Sequence, residues 1–235
     1  MPKKNPKISI CMPVRNAELW VAETIESLIA QSFKDWELVV VDDGSVDSTY
    51  DVLSYYAAKL GDQMHGHIFA DSQGIAVCRN KATELARGEI ICVQDADDLS
   101  QKDRLKETWA YFKRHKKVDL IYGACQYIDW KGQPFRMVPA EPFDFERLRT
   151  HNYIQHPTVA YRRAAALKVP YRKECRVLDD WFLYYDFHKA GLKIAPLEQV
   201  LAFYRVLMTS VSRSEAKSKE VAEMREKFLK EAANG

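Results

Sequence analysis

The chain has 235 residues, 47% hydrophobic and 29% charged, the balance of a soluble globular protein with enough chain for one sizeable core. Lysine and arginine total 35 against 33 acidic residues, so no global basic field points to nucleic acid as a partner. No apolar stretch approaches the roughly 18 residues of a membrane span and no h-region follows Met1; the five scattered cysteines contain no CxxC pair, so reduced thiols in a cytoplasmic protein are expected.

Residues 8–14 read as a strand and 18–31 as a helix with Val21, Ile25, Leu28 and Ile29 on one face. Residues 36–41 are β-rich and almost free of polar residues, which suits a strand buried on both faces of a parallel sheet. Ser45, Asp47 and Ser48 are N-cap candidates for a helix that carries Val52, Tyr56 and Leu60 and stops at Gly61. A weaker strand follows at 67–70, a helix at 75–87 and a strand at 89–94. Repeated β-α units of this length predict a parallel sheet covered by helices on both faces. After Asp98 the rhythm changes. Leu105, Trp109 and Phe112 mark a helix and 118–122 a strand. Segments 125–130 and 135–138 flank Lys131-Gly132-Gln133 as a hairpin. A helical turn at 144–149, a strand at 158–162, a helix at 180–190 and a strand at 200–206 lead to a polar last helix over 215–233, with Val221, Met224 and Phe228 on one side.

Three acidic clusters stand where these elements meet. Asp42-Asp43-Gly44-Ser45 follows a buried strand, where ligands of parallel sheets collect. It reads either as a structural turn or as a ligand site, with one carboxylate accepting from a ribose or base and the other capping the next helix. Asp95-Ala96-Asp97-Asp98 follows the strand at 89–94. A bend there would turn two carboxylates towards one Mg²⁺ or Mn²⁺ shared with substrate phosphates; a solvated acidic loop is the plain alternative. Asp179-Asp180 opens a helix, which favours acids by capping and dipole, and Trp181, Phe182 and Tyr184 supply an apolar wall that would raise a carboxyl pKa. His65 and His67 have no third metal partner in sequence, and His156-Pro157 suits packing as well as function. The absence of a G-x-S-x-G elbow, a Walker A loop and a G-x-G-x-x-G turn weakens hydrolase, kinase and dehydrogenase readings.

Several stretches together resemble glycosyltransferase family 2. They are Ile8-Ser9-Ile10-Cys11-Met12-Pro13-Val14-Arg15-Asn16, the run from Gln31 through Asp42-Asp43-Gly44-Ser45 to Thr49, Gly74 to Asn80, Ala86-Arg87-Gly88-Glu89-Ile90, and Asp95-Ala96-Asp97-Asp98. His156-Pro157, Asp179-Asp180-Trp181 and Tyr204-Arg205 extend the match more loosely. The resemblance implies a GT-A (Rossmann-like) three-layer α/β/α fold with a mostly parallel central sheet. It implies that Pro13, Arg15 and Asp43 hold the base and ribose and that Arg79 lies near the nucleotide. Asp95-Ala96-Asp97 looks like the family's D-x-D motif, with Asp95 towards the ribose and both carboxylates at the metal site, Asp97 as the ligand beside the diphosphate. Asp180 matches the catalytic base of an inverting transfer. Three positions depart from the common pattern: Arg15 replaces an aromatic residue, Asp179 a Glu, and Leu207 a His.

The resulting expectation is an enzyme that moves one sugar from a nucleotide-diphosphate donor, UDP-sugar foremost, to a hydroxyl of a glycan or lipid-linked glycan. Inversion, Mn²⁺ or Mg²⁺ assistance and a place in polysaccharide biosynthesis belong to the same reading. A processive synthase is disfavoured by the missing Q-x-x-R-W motif. A non-catalytic sugar-nucleotide or glycan binder and a nucleotidyltransferase on a related fold are the alternatives. Residues 1–212 are expected to form one domain, with a donor half over 1–98 and an acceptor half over 99–212; 213–235 form a C-terminal helix. That helix packs on its domain, docks a partner or touches membrane peripherally; mixed Lys and Glu favour a plain surface helix.

Overall fold

Where the chain offers short unbroken apolar runs, strands form and are buried from end to end. β1 (Ile8–Val14) and β2 (Trp36–Asp42), joined by α1 (Val21–Ile29), are buried at every position. The computed structural model describes residues 5–207 and 218–234. The first half continues with α2 (Thr49–Leu60), β3 (Met64–Ile68), α3 (Ile75–Leu85) and β4 (Ile90–Val93). The second half holds β5 (Leu99–Ser100), α4 (Arg104–Arg114), β6 (Leu120–Ile128), β7 (Pro134–Val138), α5 (Phe145–Leu148) and β8 (Ala160–Arg162), then α6 (Arg163–Lys168), α7 (Asp179–Lys189), β9 (Ile194–Arg205) and α8 (Ser218–Asn234).

Among the described residues nine strands join one sheet in the order β3-β2-β1-β4-β8-β6-β9-β5, with β7 paired to β6. β3, β2, β1 and β4 are mutually parallel, and β6 is parallel to β9. β8 is antiparallel to both β4 and β6, so β6 and β9 run in the same direction as β1. The mostly parallel sheet therefore gathers the carboxyl ends of β1, β2, β4, β6 and β9 along one edge, where α/β proteins place their ligands.

Alternation along the strands sorts two cores. Ile8, Ile10, Met12 and Val14 face α1, α2 and α4 through Val21, Ile25, Leu53 and Phe112. Cys11, Val39 and Val41 face α3, α7 and α8 through Cys78, Ala82, Phe182 and Phe228. The three layers follow from that period of two. All five cysteines are buried and free. α8 is no bare surface helix. Phe228 is 1% exposed against Trp181, Phe182 and Tyr185, and Glu231 pairs with Arg172.

Several boundaries differ from the sequence reading. The segments 118–122 and 125–130 merge into β6, which bulges around Gly123–Ala124 instead of breaking. A Cβ at Gly123 would lie 2.4 Å from the Leu201 side chain, so only glycine admits β9 there. β3 begins three residues earlier than expected because the register with β2 pairs Leu38 with Met64. α6 was missed, being only six residues long. The domain boundary at residue 212 and the expected first turn of the last helix lie outside the described residues.

At the edge remote from the carboxyl ends, a buried acid fastens the sheet. Glu37, 1% exposed, accepts from Ser9 Oγ at 2.6 Å, His65 at 2.9 Å and Arg87 through its backbone N at 2.7 Å and Nε at 2.6 Å. Burial alone would raise its pKa, but these bonds outweigh it and bring the carboxyl down to about 2.

Candidate active site

The site is built from loops that leave the carboxyl ends of β1, β2 and β4. Pro13 is buried within β1, and Arg15 leaves the strand exposed. Asn16 follows at φ 49°, a left-handed conformation that Asn tolerates better than most residues. It is held by contacts to the β2–α2 loop: its N–H donates to Ser45 Oγ at 3.0 Å and its Oδ1 accepts from Val46 N at 2.9 Å. The two loops are locked further by Ala17 N to Thr49 Oγ1 at 2.7 Å.

Asp42 and Asp43 divide their work differently from expectation. Asp42 Oδ1 accepts from Ser45 N at 2.9 Å and Ser45 Oγ at 2.7 Å, closing the turn instead of capping α2. The helix start is served by Asp47, which accepts from Thr49 N at 3.0 Å, and by Glu18, which accepts from Ser48 N at 2.8 Å. Asp43, 6% exposed, accepts from Ser72 Oγ at 2.6 Å, Gln73 N at 2.5 Å and Gly74 N at 3.1 Å. Burial opposes its charge, yet these donors hold its pKa below the ordinary value. Gly74 sits at φ 95° at the head of α3, a conformation an L side chain rarely adopts, which is why the N–H can reach Asp43. Arg15 Nη1 also donates to Ser72 Oγ, at 2.6 Å, so Arg15 and Asp43 frame one small polar cradle.

The second acidic cluster is a turn, as the sequence allowed. Asp98 N bonds Asp95 O at 3.3 Å, and Gln94 Nε2 supports both Asp95 O and Asp98 O at 3.0 Å from below. Asp95 and Asp97 are partly buried; Asp98 is fully buried and turned inward, its Oδ1 accepting from Arg205 N at 2.7 Å while Oδ2 has no partner. Arg205, 2% exposed, braces this turn from β9. It donates to Asp97 O at 3.0 Å, Trp130 O at 3.1 Å and Glu23 Oε2 at 2.6 Å, and lies over the Trp20 ring. Leu207, two residues on, is half-buried.

Arg79 on α3 joins the second cluster to the third. Its guanidinium donates to Asp95 Oδ1 at 2.9 Å and to Asp179 Oδ2 at 2.5 Å across 100 residues of chain. Burial works against its charge, but Asp179 and Asp95 together hold it above its ordinary pKa. α7 is entered through Leu178 at φ 56°, a strained conformation for Leu that this packing imposes. Asp180, next in the first turn, is partly buried and accepts a side-chain hydrogen bond from Asn152 Nδ2 at 2.9 Å, with the Trp181 backbone N–H as a further donor. Burial and then the neighbouring Asp179 charge push its pKa up to about 6. Behind the pair, the His156 ring lies 2.6 Å from Tyr184 OH and 3.2 Å from Tyr171 OH; burial, with Arg79 nearby, drives its pKa well below ordinary and keeps it neutral.

A hard cation takes oxygen ligands, and Asp95 and Asp97 are carboxylates that this turn presents. Burial first, and the Asp95 charge second, raise Asp97 to about 6, and no ion pair to a basic side chain compensates it among the described residues. That is the chemistry of a carboxylate suited to a cation. Among the described residues no group of three or more His, Cys, Asp or Glu is gathered to hold a metal. Of the positions singled out from sequence, Arg79, Asp95 and Asp180 meet with Asp179 in one cluster, Asp97 lies in the same turn as Asp95, and Asp43 with Arg15 forms the cradle. Ser72, Gln73 and Asn152 were not anticipated. Only Gly74 before α3 hinted at the first two; Asn152 contacts Asp180 across 28 residues and carries no spacing signal.

Fold and carboxylate cluster define a GT-A type nucleotide-sugar transferase. The sequence pattern of glycosyl transferase family 2 matches residues 9–174, and the chain belongs to that family. It is 34% identical over 178 residues to a "PGL/p-HBAD biosynthesis glycosyltransferase" of Mycobacterium bovis, covering 75% of this chain and 67% of that protein. Among solved structures it is similar to S. aureus TarS 1–349 in complex with UDP-GlcNAc, with a TM-score of 0.71 and 21% identity over 97% of this chain and 72% of that one. It is also similar to the mannosyltransferase PcManGT of Pyrobaculum calidifontis in complex with GDP-Man and Mn²⁺, with a TM-score of 0.69 and 19% identity over 89% and 59% of the two chains. The chain spans 43% of a longer TarS chain. No helix among the described residues is long and apolar enough to cross a membrane.

Proposed function

We propose that this protein transfers a single sugar from a UDP-sugar to a hydroxyl of a glycan or lipid-linked glycan, with inversion, as a step in polysaccharide biosynthesis. The observation that carries the reading is the Arg79 bridge, which holds a donor-side carboxylate, Asp95, and the base-side pair Asp179-Asp180 in one cleft. The bound UDP-GlcNAc of TarS and the GDP-Man and Mn²⁺ of PcManGT support the class of donor.

In this reading Asp43 and Arg15 receive the base and ribose, with Asp43 already ionised and ready to accept. Asp95 and Asp97 would hold Mg²⁺ or Mn²⁺, which when bound neutralises charge gathering on the leaving diphosphate. Asp180 is the base. A sugar hydroxyl is far too weak an acid to ionise near neutrality, so its proton passes to the Asp180 carboxylate as its oxygen bonds to the anomeric carbon. The bond from that carbon to the diphosphate breaks on the opposite face, and the nucleoside diphosphate leaves. A pKa of about 6 suits this work, because it leaves the group mostly ionised near pH 7 and more basic than an ordinary Asp.

The test is Asp180→Asn with UDP-glucose, UDP-galactose and UDP-N-acetylglucosamine, scored by UDP release and by thermal stabilisation. Loss of a general base costs about 10²–10⁴ in rate, while stabilisation by the donor should persist. Near-normal turnover overturns the base assignment; release of pyrophosphate in place of UDP would reveal a nucleotidyltransferase.

A further inference from the structure

The Asp180 carboxylate is held by a side chain from a distant loop as well as by the Trp181 backbone N–H of its own helix. Asn152 Nδ2 donates to Oδ2 at 2.9 Å. The amide is oriented independently, because its Oδ1 accepts from the Ile154 backbone N–H at 3.3 Å. Its NH₂ end, the only donor an Asn side chain has, therefore faces the carboxylate.

Both sides of this contact are fastened to the same helix. On the Asn152 side, Arg149 donates through Nε and Nη2 to Ala232 O of α8 at 2.8 and 2.5 Å. Tyr153 accepts from Asp144 N at 2.7 Å and meets the Tyr122 ring edge-on. On the Asp180 side, the Trp181 indole N–H donates to Leu148 O at 2.6 Å, and its ring lies 4.3 Å from that of Phe228 on α8. A hydrogen bond held this firmly costs little further entropy when a substrate arrives, which is what precise placement of a base requires.

We propose that Asn152 is a positioning residue for the transfer, holding the Asp180 carboxylate by Oδ2 in the orientation from which it takes the acceptor's proton. The proposal rests on Asp180 being the base. The charged and titratable groups that face Asp180 are Asp179 and Tyr184 on α7 and Arg79 on α3. Burial and Asp179 disfavour its ionised form, while Arg79, the Asn152 bond and the Trp181 backbone N–H favour it. Removing the Asn152 donor removes one of these three supports, so the base takes up its proton at higher pH.

The experiment compares wild type, Asn152→Ala, Asn152→Asp and Asp180→Asn for UDP release from the best of the three UDP-sugars, with water or sugar as acceptor. Asn152→Asp keeps the oxygen that Ile154 N–H needs while it loses the donor and adds an acid beside Asp180, and Asn152→Ala loses the donor without adding charge, so the two together separate positioning from folding. Both Asn152 variants should lose about tenfold in kcat at pH 7, as expected for a displaced catalytic group, with donor KM within about twofold. The acid limb of kcat against pH should move up by about one unit in Asn152→Ala, equivalent to 1.36 kcal/mol, and further in Asn152→Asp, where two carboxylates adjoin. An inactive Asp180→Asn beside Asn152 variants with unchanged kcat and acid limb overturns the proposal alone, as does a loss confined to donor KM. Near-normal turnover by Asp180→Asn overturns the base assignment and this proposal with it.

Discussion

Arg79→Met should destabilise the protein severely and in a pH-dependent way. The Arg79 side chain is 6% exposed, that of Asp179 7% and that of Asp95 24%. Methionine matches the bulk but leaves Asp179 buried with no cation at 2.5 Å. Breaking a buried pair by removing one partner costs about 3–5 kcal/mol, and Asp95 adds little because it is open enough to be hydrated. For a chain of this size each kcal/mol lowers Tm by roughly 2–4 °C, so a fall of about 10 °C is expected. The sign of the pH effect follows from linkage. In the variant, the folded Asp179 binds its proton more tightly than the unfolded one, so the folded state carries more protons and stability falls as pH rises. The deficit should therefore be small near pH 4 and full near pH 7. Melting curves across that range measure it, and adding Asp179→Asn to Arg79→Met should recover much of the loss. A single variant that melts within about 2 °C of wild type at pH 7, or whose deficit does not depend on pH, refutes the bridge as a supporting element.

Glu37 makes the opposite pH prediction: its folded pKa is depressed to about 2, so its stabilisation, about 3 kcal/mol, is present above pH 4.5 and lost as pH falls towards 2. Acid melts of Glu37→Gln should lack that step while keeping the rest of the profile. Phe228→Ala should cost about 3–5 kcal/mol, read by denaturant unfolding, because the ring is 1% exposed and touches three aromatic neighbours. EDTA should abolish UDP release and Asp97→Ala should remove the metal-dependent part of donor stabilisation; full activity in EDTA would recast Asp95-Ala96-Asp97 as a hydrogen-bonding platform.

What could be read from the sequence was what local pattern encodes. β1 is predicted residue for residue and β2 to within one because unbroken apolar runs admit one structure, and the helix faces of α1, α3 and α4 follow from their period. Strand ends in the second half were harder. β6 crosses Gly123 without ending, and β9 starts six residues before its apolar stretch, since both are held by pairing with each other and not by composition. The same contrast holds in the site. The acidic clusters stand out because neighbouring acids follow two buried strands and open one helix. Partners such as Ser72 and Asn152 do not, since they act through contacts between elements far apart in the chain, and His156 and Arg205 were marked by the resemblance, not by the contacts they make.

The three Asp clusters look alike in sequence, yet burial and partners give each carboxylate a different state. Asp43 is held ionised by backbone and hydroxyl donors, which suits a group that must accept from a neutral nucleoside. Asp98 is pushed well above the ordinary range by burial and then by the Asp97 and Asp95 charges, which Arg205 only partly offsets, and serves the β9 backbone as a structural acceptor. Asp97 and Asp180, both near 6, make no ion pair with a basic side chain among the described residues, and the nearby Arg205 and Arg79 charges offset burial only in part. Arg79 is spent on Asp95 and Asp179, the two carboxylates beside them. One guanidinium thus forms ion pairs with Asp95 and Asp179 and leaves their neighbours Asp97 and Asp180 without one. That division predicts unequal losses within each pair: Asp180→Asn should cost turnover at little cost in stability, and Asp179→Asn should cost stability first, since it frees Arg79 in a buried site. Thermal melts and UDP release measured on the same two preparations decide it, and equal effects on both readouts would refute the division.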